Sequence, residues 1–377
     1  MIRKTDEEDV FIAHELSHIE KKIDRVDPEI SLKNLNKIKI NNKFKAWYSY
    51  LFGKAYFNKK VYPKALDYFK EAIQFIEDHP ELEATNLIAC TYKEMGRIFY
   101  FQNQIDKALE YNQRGLDCFQ EDGKRKWIYH YLMVCQAIYL EKLDQIDQAL
   151  QVLEELWPEK DQIQSLEVVL NMIELRALIL KKTGLYNKAI KYANEGLELA
   201  LINDMNDRAV ELYTTVGIIH RFKNEIDQAE KMFLSALELE IDKKKEYLLI
   251  STYTQLGAVY LDKNKWTDAE KYLLEAISIE ADDALRKCHA LMFLGDCFYH
   301  QKQYEKAINY YNQAYDYAKK HDFTQQLYNI IIRLAQYWKK VDQSRYYNYL
   351  DKMLKIAIRL EKATSLKVNN LLLEEEL

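Results

Sequence analysis

The sequence predicts an all-α fold, a solenoid of about eight helical hairpins with a period of roughly forty residues. Three observations carry this. Seven times an aromatic or branched apolar residue stands three positions before an alanine: Tyr62–Ala65, Ile105–Ala108, Ile146–Ala149, Tyr186–Ala189, Ile226–Ala229, Trp266–Ala269 and Tyr304–Ala307, with successive alanines 38 to 43 residues apart. Five glycines, Gly53, Gly96, Gly217, Gly257 and Gly295, all fall twelve residues before the repeat alanine. Only 9 glycines and 4 prolines occur among 377 residues, which leaves little material for tight β-turns or long loops.

Ahead of the repeats, residues 1–40 are predicted to form an N-terminal helical cap, from the helix-periodic stretch DVFIAHELSHIEKKID. Seven units follow, at 41–78, 84–120, 126–157, 164–201, 206–240, 245–280 and 284–320. The fifth shows the plan: AVELYTTVGIIHRFKNEIDQAEKMFLSALEL holds two apolar-periodic stretches parted by the polar break KNE. Gly217 sits inside the first stretch, where glycine costs about 1 kcal/mol against alanine. A costly residue repeated in one slot implies that two helix axes pass too closely for a side chain. Gly115 and Gly196 lie seven residues after the repeat alanine, a slot held elsewhere by Ala72, Ala236, Ala276 and Ala314. An eighth unit, 323–361, keeps Leu334, Ala335 and Trp338 but lacks the downstream alanine, as a capping repeat does. The solenoid is thus expected over 41–361, with 362–377 as a C-terminal helix end or tail.

Leu256-Gly257, Tyr260, Trp266, Ala269, Leu273 and Ala276 together resemble the tetratricopeptide repeat pattern. Units three and four carry Ala137 and Ala177 where that pattern usually has glycine. The resemblance covers most of the chain and implies a right-handed superhelical stack. The period exceeds the family's basic length of about 34 residues, and extra turns on the helices are the simplest cause. Long-helix arrays of this size resemble the bacterial peptide-pheromone receptors, the group containing the Rap phosphatases and the NprR and PlcR regulators. The likeness is one of architecture, length and a lysine-, isoleucine- and tyrosine-rich composition. Two departures stand beside it: the segment before the first repeat is short for the Rap three-helix bundle, and it shows no helix-turn-helix. Either the chain lacks an output domain or one has been removed.

The net charge of −5 gives no sign of a general nucleic-acid binder. Cys90, Cys118, Cys135, Cys288 and Cys297 are odd in number and lack a CxxC pair, which reads as free thiols in a reducing compartment. The opening MIRKTDEEDVF has no secretory apolar core, and no apolar run reaches membrane-span length. A cytoplasmic location is expected, with no membrane partner and no cofactor. Homo-oligomer formation is left open.

Two motifs invite chemistry. His14-Glu15-Leu16-Ser17-His18 is a literal HExxH, which on a helix could hold zinc with Glu15 as general base. A metallopeptidase also needs a third ligand and a substrate-edge strand, and the repeats beginning at 41 leave room for neither. An amphipathic capping helix with incidental histidines outweighs it. Cys288, His289, Cys297 and His300 form a second cluster, read as small apolar packing residues and histidines on different turns of one helix. No Walker loop, nucleophile elbow or dinucleotide GxGxxG occurs, so no catalytic and no metal site is expected.

The expected working surface is the wall formed by the first helix of each hairpin. Family geometry places Lys54, then Lys93, Arg97 and Tyr100, then Tyr131, then Asn171 and Glu174 on it. The later units add Thr214 and Arg221, Thr254, and Asp296. Cations gather at one end among aromatics, hydroxyls and an amide in the middle, and Asp296 at the other end. Such a gradient could orient a short extended peptide, carboxylate towards Arg97 and backbone bridged by Asn171. The expectation is an intracellular peptide-binding regulator of quorum-sensing type. A general scaffold for a partner protein's segment is the alternative, and against the peptide reading of the wall stands a mixed solvated groove with no ligand.

Overall fold

A computed structural model describes residues 2–281 and 283–374, with the side chains of 7–281 and 283–359. Among the described residues there are eighteen α-helices, four short 3₁₀ turns and no strand. Two helices form the cap, α1 (Ile2–Lys22) and α2 (Pro28–Leu35). Their break is set locally: the Asp27 carboxylate accepts from Glu29 N at 2.9 Å, and Pro28 occupies the first turn, where its missing N–H has no cost.

Eight hairpins follow. They are α3 (Lys45–Asn58) with α4 (Tyr62–Glu77), α5 (Leu87–Phe101) with α6 (Ile105–Asp117), α7 (Trp127–Lys142) with α8 (Ile146–Leu156), and α9 (Leu166–Lys182) with α10 (Tyr186–Ile202). Then come α11 (Asn206–Phe222) with α12 (Ile226–Leu237), α13 (Tyr247–Asp262) with α14 (Trp266–Ser278), α15 (Ala284–His300) with α16 (Tyr304–Lys320), and α17 (Thr324–Val341) with α18 (Gln343–Glu374). The chain divides into two compact units, Met1–Leu175 and Arg176–Leu377. The first packs its helices around Leu16, Ile23, Tyr50, Phe69, Ile98 and Leu132. The second is centred on Phe233, Leu256, Leu273, Leu294, Tyr311 and Leu334.

All seven repeat alanines are fully buried. The recurrent glycines answer to the residue four positions after each alanine. A Cβ on Gly217 would lie 2.5 Å from the Phe233 ring, and one on Gly257 2.5 Å from Leu273 Cγ. Gly53 and Gly295 meet Phe69 and Tyr311 in the same way, while Gly96 instead faces the Ala108 carbonyl at 3.1 Å. In the fourth hairpin both slots are small and buried, Ala177 and Ala193.

The turn inside each hairpin also repeats. The residue five before the repeat alanine is left-handed every time: Lys60, Asn103, Asp144, Gly184, Asn224, Asn264 and Lys302. At Lys302, φ is 61°; its N–H bonds Tyr299 O at 3.0 Å and Gln303 N–H bonds Phe298 O at 2.9 Å, a Schellman stop. Between hairpins, Asn86 ties two links together. Buried and left-handed at φ 55°, it donates to Gln120 O (2.8 Å) and Lys124 O (2.6 Å) and accepts from Gln120 N (2.7 Å). Gly123 is required there, since a Cβ would sit 2.6 Å from Ala84 O.

Candidate functional site

In the first unit the first-helix face is organised around a carboxylate that the expected wall did not include. Glu94 is fully buried on α5. Lys93 Nζ lies 2.8 Å from one oxygen, and Arg97 donates to the other at 2.9 Å. Burial alone would raise its pKa, but Lys93, Arg97 and Lys54 overcome that and hold it well below the usual carboxylate range. Lys54 is almost closed to solvent and donates to Asp24 of the cap segment at 2.7 Å. The cations also lie over rings, Lys93 over Tyr131 at 4.7 Å and Arg97 over Phe57 at 4.8 Å. Three cations therefore share two carboxylates, and Arg97 keeps about a third of its side chain exposed (36%).

Further along the same face, Tyr131 donates its hydroxyl to Glu167 at 3.0 Å. Tyr100 packs on Tyr139 with ring centroids 5.5 Å apart. At the end of α7, burial would lower the pKa of Lys142, but Tyr100, Glu141 and Glu174 around it raise it instead. Asn171 is half-buried, and its side-chain amide has no hydrogen-bond partner among the described residues. The face thus combines a local cluster of three cations over two carboxylates, half-buried tyrosines and an uncommitted amide.

In the second unit the corresponding polar groups are engaged within the chain. Thr214 donates to Val210 O (2.8 Å) and meets the Thr252 hydroxyl at 2.8 Å; Thr254 donates to Ile250 O at 2.6 Å. Both threonines are buried, because a hydroxyl on a packed helix finds its acceptor one turn back. Arg221 forks onto Asp262 at 2.6 and 3.2 Å. Asp296 receives a fork from Arg333 (2.7 and 2.9 Å) and the Tyr311 hydroxyl (2.7 Å). The Thr214–Thr252, Arg221–Asp262 and Asp296–Arg333 contacts join first helices of neighbouring hairpins. The signal in the sequence is a complementary partner about one period away, as with Asp296 and Arg333.

The metal motifs stay apart. His14 and His18 share a side of α1, with ring centroids 6.5 Å apart, and His14 is exposed. No group of three His, Cys, Asp or Glu residues placed to hold a metal occurs among the described residues. Cys288 and Cys297 are buried, with their thiols on Ala314 O and Trp266 O, and His300 stacks on Trp266. Burial pushes the Cys288 thiol up to about 11 and that of Cys90 up to about 12, so neither is a ready nucleophile.

The first unit also holds a cavity of about 820 Å³ beneath α1. Its lining includes Phe44, Trp47, Tyr50, Leu82, Leu87 and Trp127. No helix among the described residues is long and apolar enough to cross a membrane.

Residues 171–203 and 248–320 match family models of the tetratricopeptide repeat. No curated protein sequence matches the chain. Solved structures match it by fold. The crystal structure of a Rap protein complexed with competence and sporulation factor shares 13% identity, covers 93% of this chain and 99% of its own, and gives a TM-score of 0.65. NprR in complex with its cognate peptide NprX shares 13% identity over 96% and 98% of the two chains, with a TM-score of 0.59. The apo form of RapI shares 15% identity over 93% and 99%, also at 0.59. The chain is an all-α array of tetratricopeptide-type hairpins, and in fold it resembles the Rap and NprR structures.

Proposed function

We propose that this is an intracellular, cytoplasmic regulator of quorum-sensing type that binds a short signalling peptide on the first-helix face of its repeats. The observation that carries the reading is the Lys54–Lys93–Arg97 cluster in the first unit, where three cations share Glu94 and Asp24 and Arg97 keeps an exposed edge. A peptide carboxylate supplies the missing negative charge. Tyr100 and Tyr131 offer apolar edges and Asn171 a free amide for the peptide backbone. Of the similar structures, the Rap protein was solved in complex with competence and sporulation factor and NprR in complex with its cognate peptide NprX. In the second unit, considered by itself, Arg221 and Asp296 are paired with Asp262 and Arg333.

The test begins with affinity selection of a random heptapeptide pool on the full chain. The selected peptide is then titrated, as acid and as C-terminal amide, into wild type and Arg97→Lys. The lysine variant keeps Glu94 compensated while removing the guanidinium fork. A charge-assisted fork contributes on the order of 1.5–3 kcal/mol, so Arg97→Lys should weaken the acid roughly tenfold or more and the amide far less. Equal losses for both peptide forms would remove Arg97 from the carboxylate's surroundings. Selection of no peptide would overturn the reading in favour of a scaffold for folded partners.

A further inference from the structure

The cavity beneath α1 is assembled by a chain of local constraints. Asn86 clamps the 120–124 link, which sets Arg125 in a left-handed conformation (φ 51°). From there its guanidinium donates to Thr85 O at 3.2 Å and to Glu20 at 3.3 Å, and lies over the Trp47 ring at 5.1 Å. Trp47 Nε1 donates to the same Glu20 at 2.7 Å. The roof is α1, whose Ala13 and Ser17 line the space between Asp9 and Glu20. A cavity of about 820 Å³ is within the range of a small-molecule site, which runs to about 1,000 Å³.

Its chemistry is lopsided. Five cations line it, Lys21, Lys43, Lys54, Lys124 and Arg125, against three carboxylates, Asp9, Glu20 and Asp24. Each carboxylate already has a cation: Asp9 holds Lys43 at 2.8 Å, Asp24 holds Lys54 at 2.7 Å and Glu20 holds Arg125. Lys21 and Lys124 have no carboxylate partner among the described residues. This local excess arises in a chain of net charge −5. The floor, by contrast, is aromatic and apolar, with Trp47, Trp127 and Phe44.

We propose that this cavity is a second binding site, for an organic anion in which a carboxylate stands within a few bonds of an aromatic ring. The ring lies against Trp47 and Trp127, where aromatic stacking adds to area burial. The carboxylate meets Lys124 and Arg125, and Lys54 with its partner Asp24 is shared with the peptide-binding face. Such a carboxylate arrives on a free aromatic acid or on the C-terminal residue of a peptide. α1 closes over either one.

The experiment uses the full chain with four probes followed by ligand-detected NMR and calorimetry: 3-phenylpropionate and N-acetylphenylalanine, and the amide of each. The proposal expects at least one acid to bind and its amide to bind about tenfold or more weakly, the loss of one charge-assisted pair. Binding of 3-phenylpropionate assigns a free acid, and binding of N-acetylphenylalanine alone assigns a peptide end. Lys124→Glu, at an exposed position, should weaken the acid severalfold without changing the unfolding midpoint. Ala13→Phe, which fills the cavity from its roof, should abolish binding; Leu82→Trp does the same from the floor if the first variant misfolds. Equal binding of acid and amide, binding unchanged in both filled variants, or no binding of either acid overturns the proposal. Arg97→Lys should leave these probes unaffected, so failure here leaves the peptide-binding reading standing, and failure there leaves this one.

Discussion

Glu94 is tightly constrained within the first unit. It is buried, charged and held by Lys93 and Arg97, with Lys54 close by. Removing one partner of a buried ionic group leaves the others uncompensated, which is worth about 3–5 kcal/mol. Glu94→Gln should therefore lower first-unit stability by about that amount, read as a shift in the urea midpoint. The pH dependence has a definite sign. The folded pKa lies below the unfolded value of roughly 4.3, so the stabilisation is complete above about pH 5. It is lost as pH falls towards the depressed folded value. The gap between wild type and variant should shrink between pH 6 and pH 3; a gap that widens on acidification would contradict the assigned direction. Lys93 and Arg97 were legible on this face from register alone. Their counter-ion was not, because a repeat template places residues on a wall without saying which inward-tilting neighbour reaches them.

At Gly217 two effects oppose each other. Alanine gains about 1 kcal/mol of helix propensity, but overpacking against the buried Phe233 ring costs about 1–3 kcal/mol. Gly217→Ala should be destabilising in a denaturant melt, and Phe233→Leu beside it should recover part of the loss, a coupling the four-variant cycle isolates. Additive effects would show that the two residues do not share the contact.

At the scale of the element, the hairpin turn is the feature the sequence carried most quietly. Seven residues five before the alanine take the left-handed conformation, and only Gly184 is a glycine. Lysine fills the slot at 60 and 302, asparagine or aspartate at the others. A non-glycine residue in that conformation is strained by about 1–2 kcal/mol, and asparagine tolerates it best. Lys302→Asn should raise the thermal midpoint by a few degrees, as about 0.5–1 kcal/mol does for a domain of this size. A neutral or lower midpoint would mean that the turn carries no strain at Lys302. The glycine and alanine slots were readable because helix packing imposes a strict register. The Asn86 clamp and the second cap helix were not, since they depend on non-periodic links meeting in space. The one local signal was Asp27-Pro28.

At the scale of the whole chain, each unit is a run of hairpins whose first helices are bridged by polar pairs about one period apart. Tyr131–Glu167 does this in the first unit, and Arg221–Asp262 and Asp296–Arg333 in the second. A ligand that exchanges with such pairs alters how neighbouring hairpins are tied, so binding at one repeat reaches the next. The fold was legible from spacing; the candidate site was legible only as a surface, because no single motif carries its chemistry. Amide hydrogen exchange on the full chain, with and without the heptapeptide selected from the pool, tests the central claim most directly. The account predicts slowed exchange on the first helices α5, α7 and α9, with α4, α6 and α8 unchanged. Protection confined to the second helices, or none anywhere at saturating peptide, would contradict it.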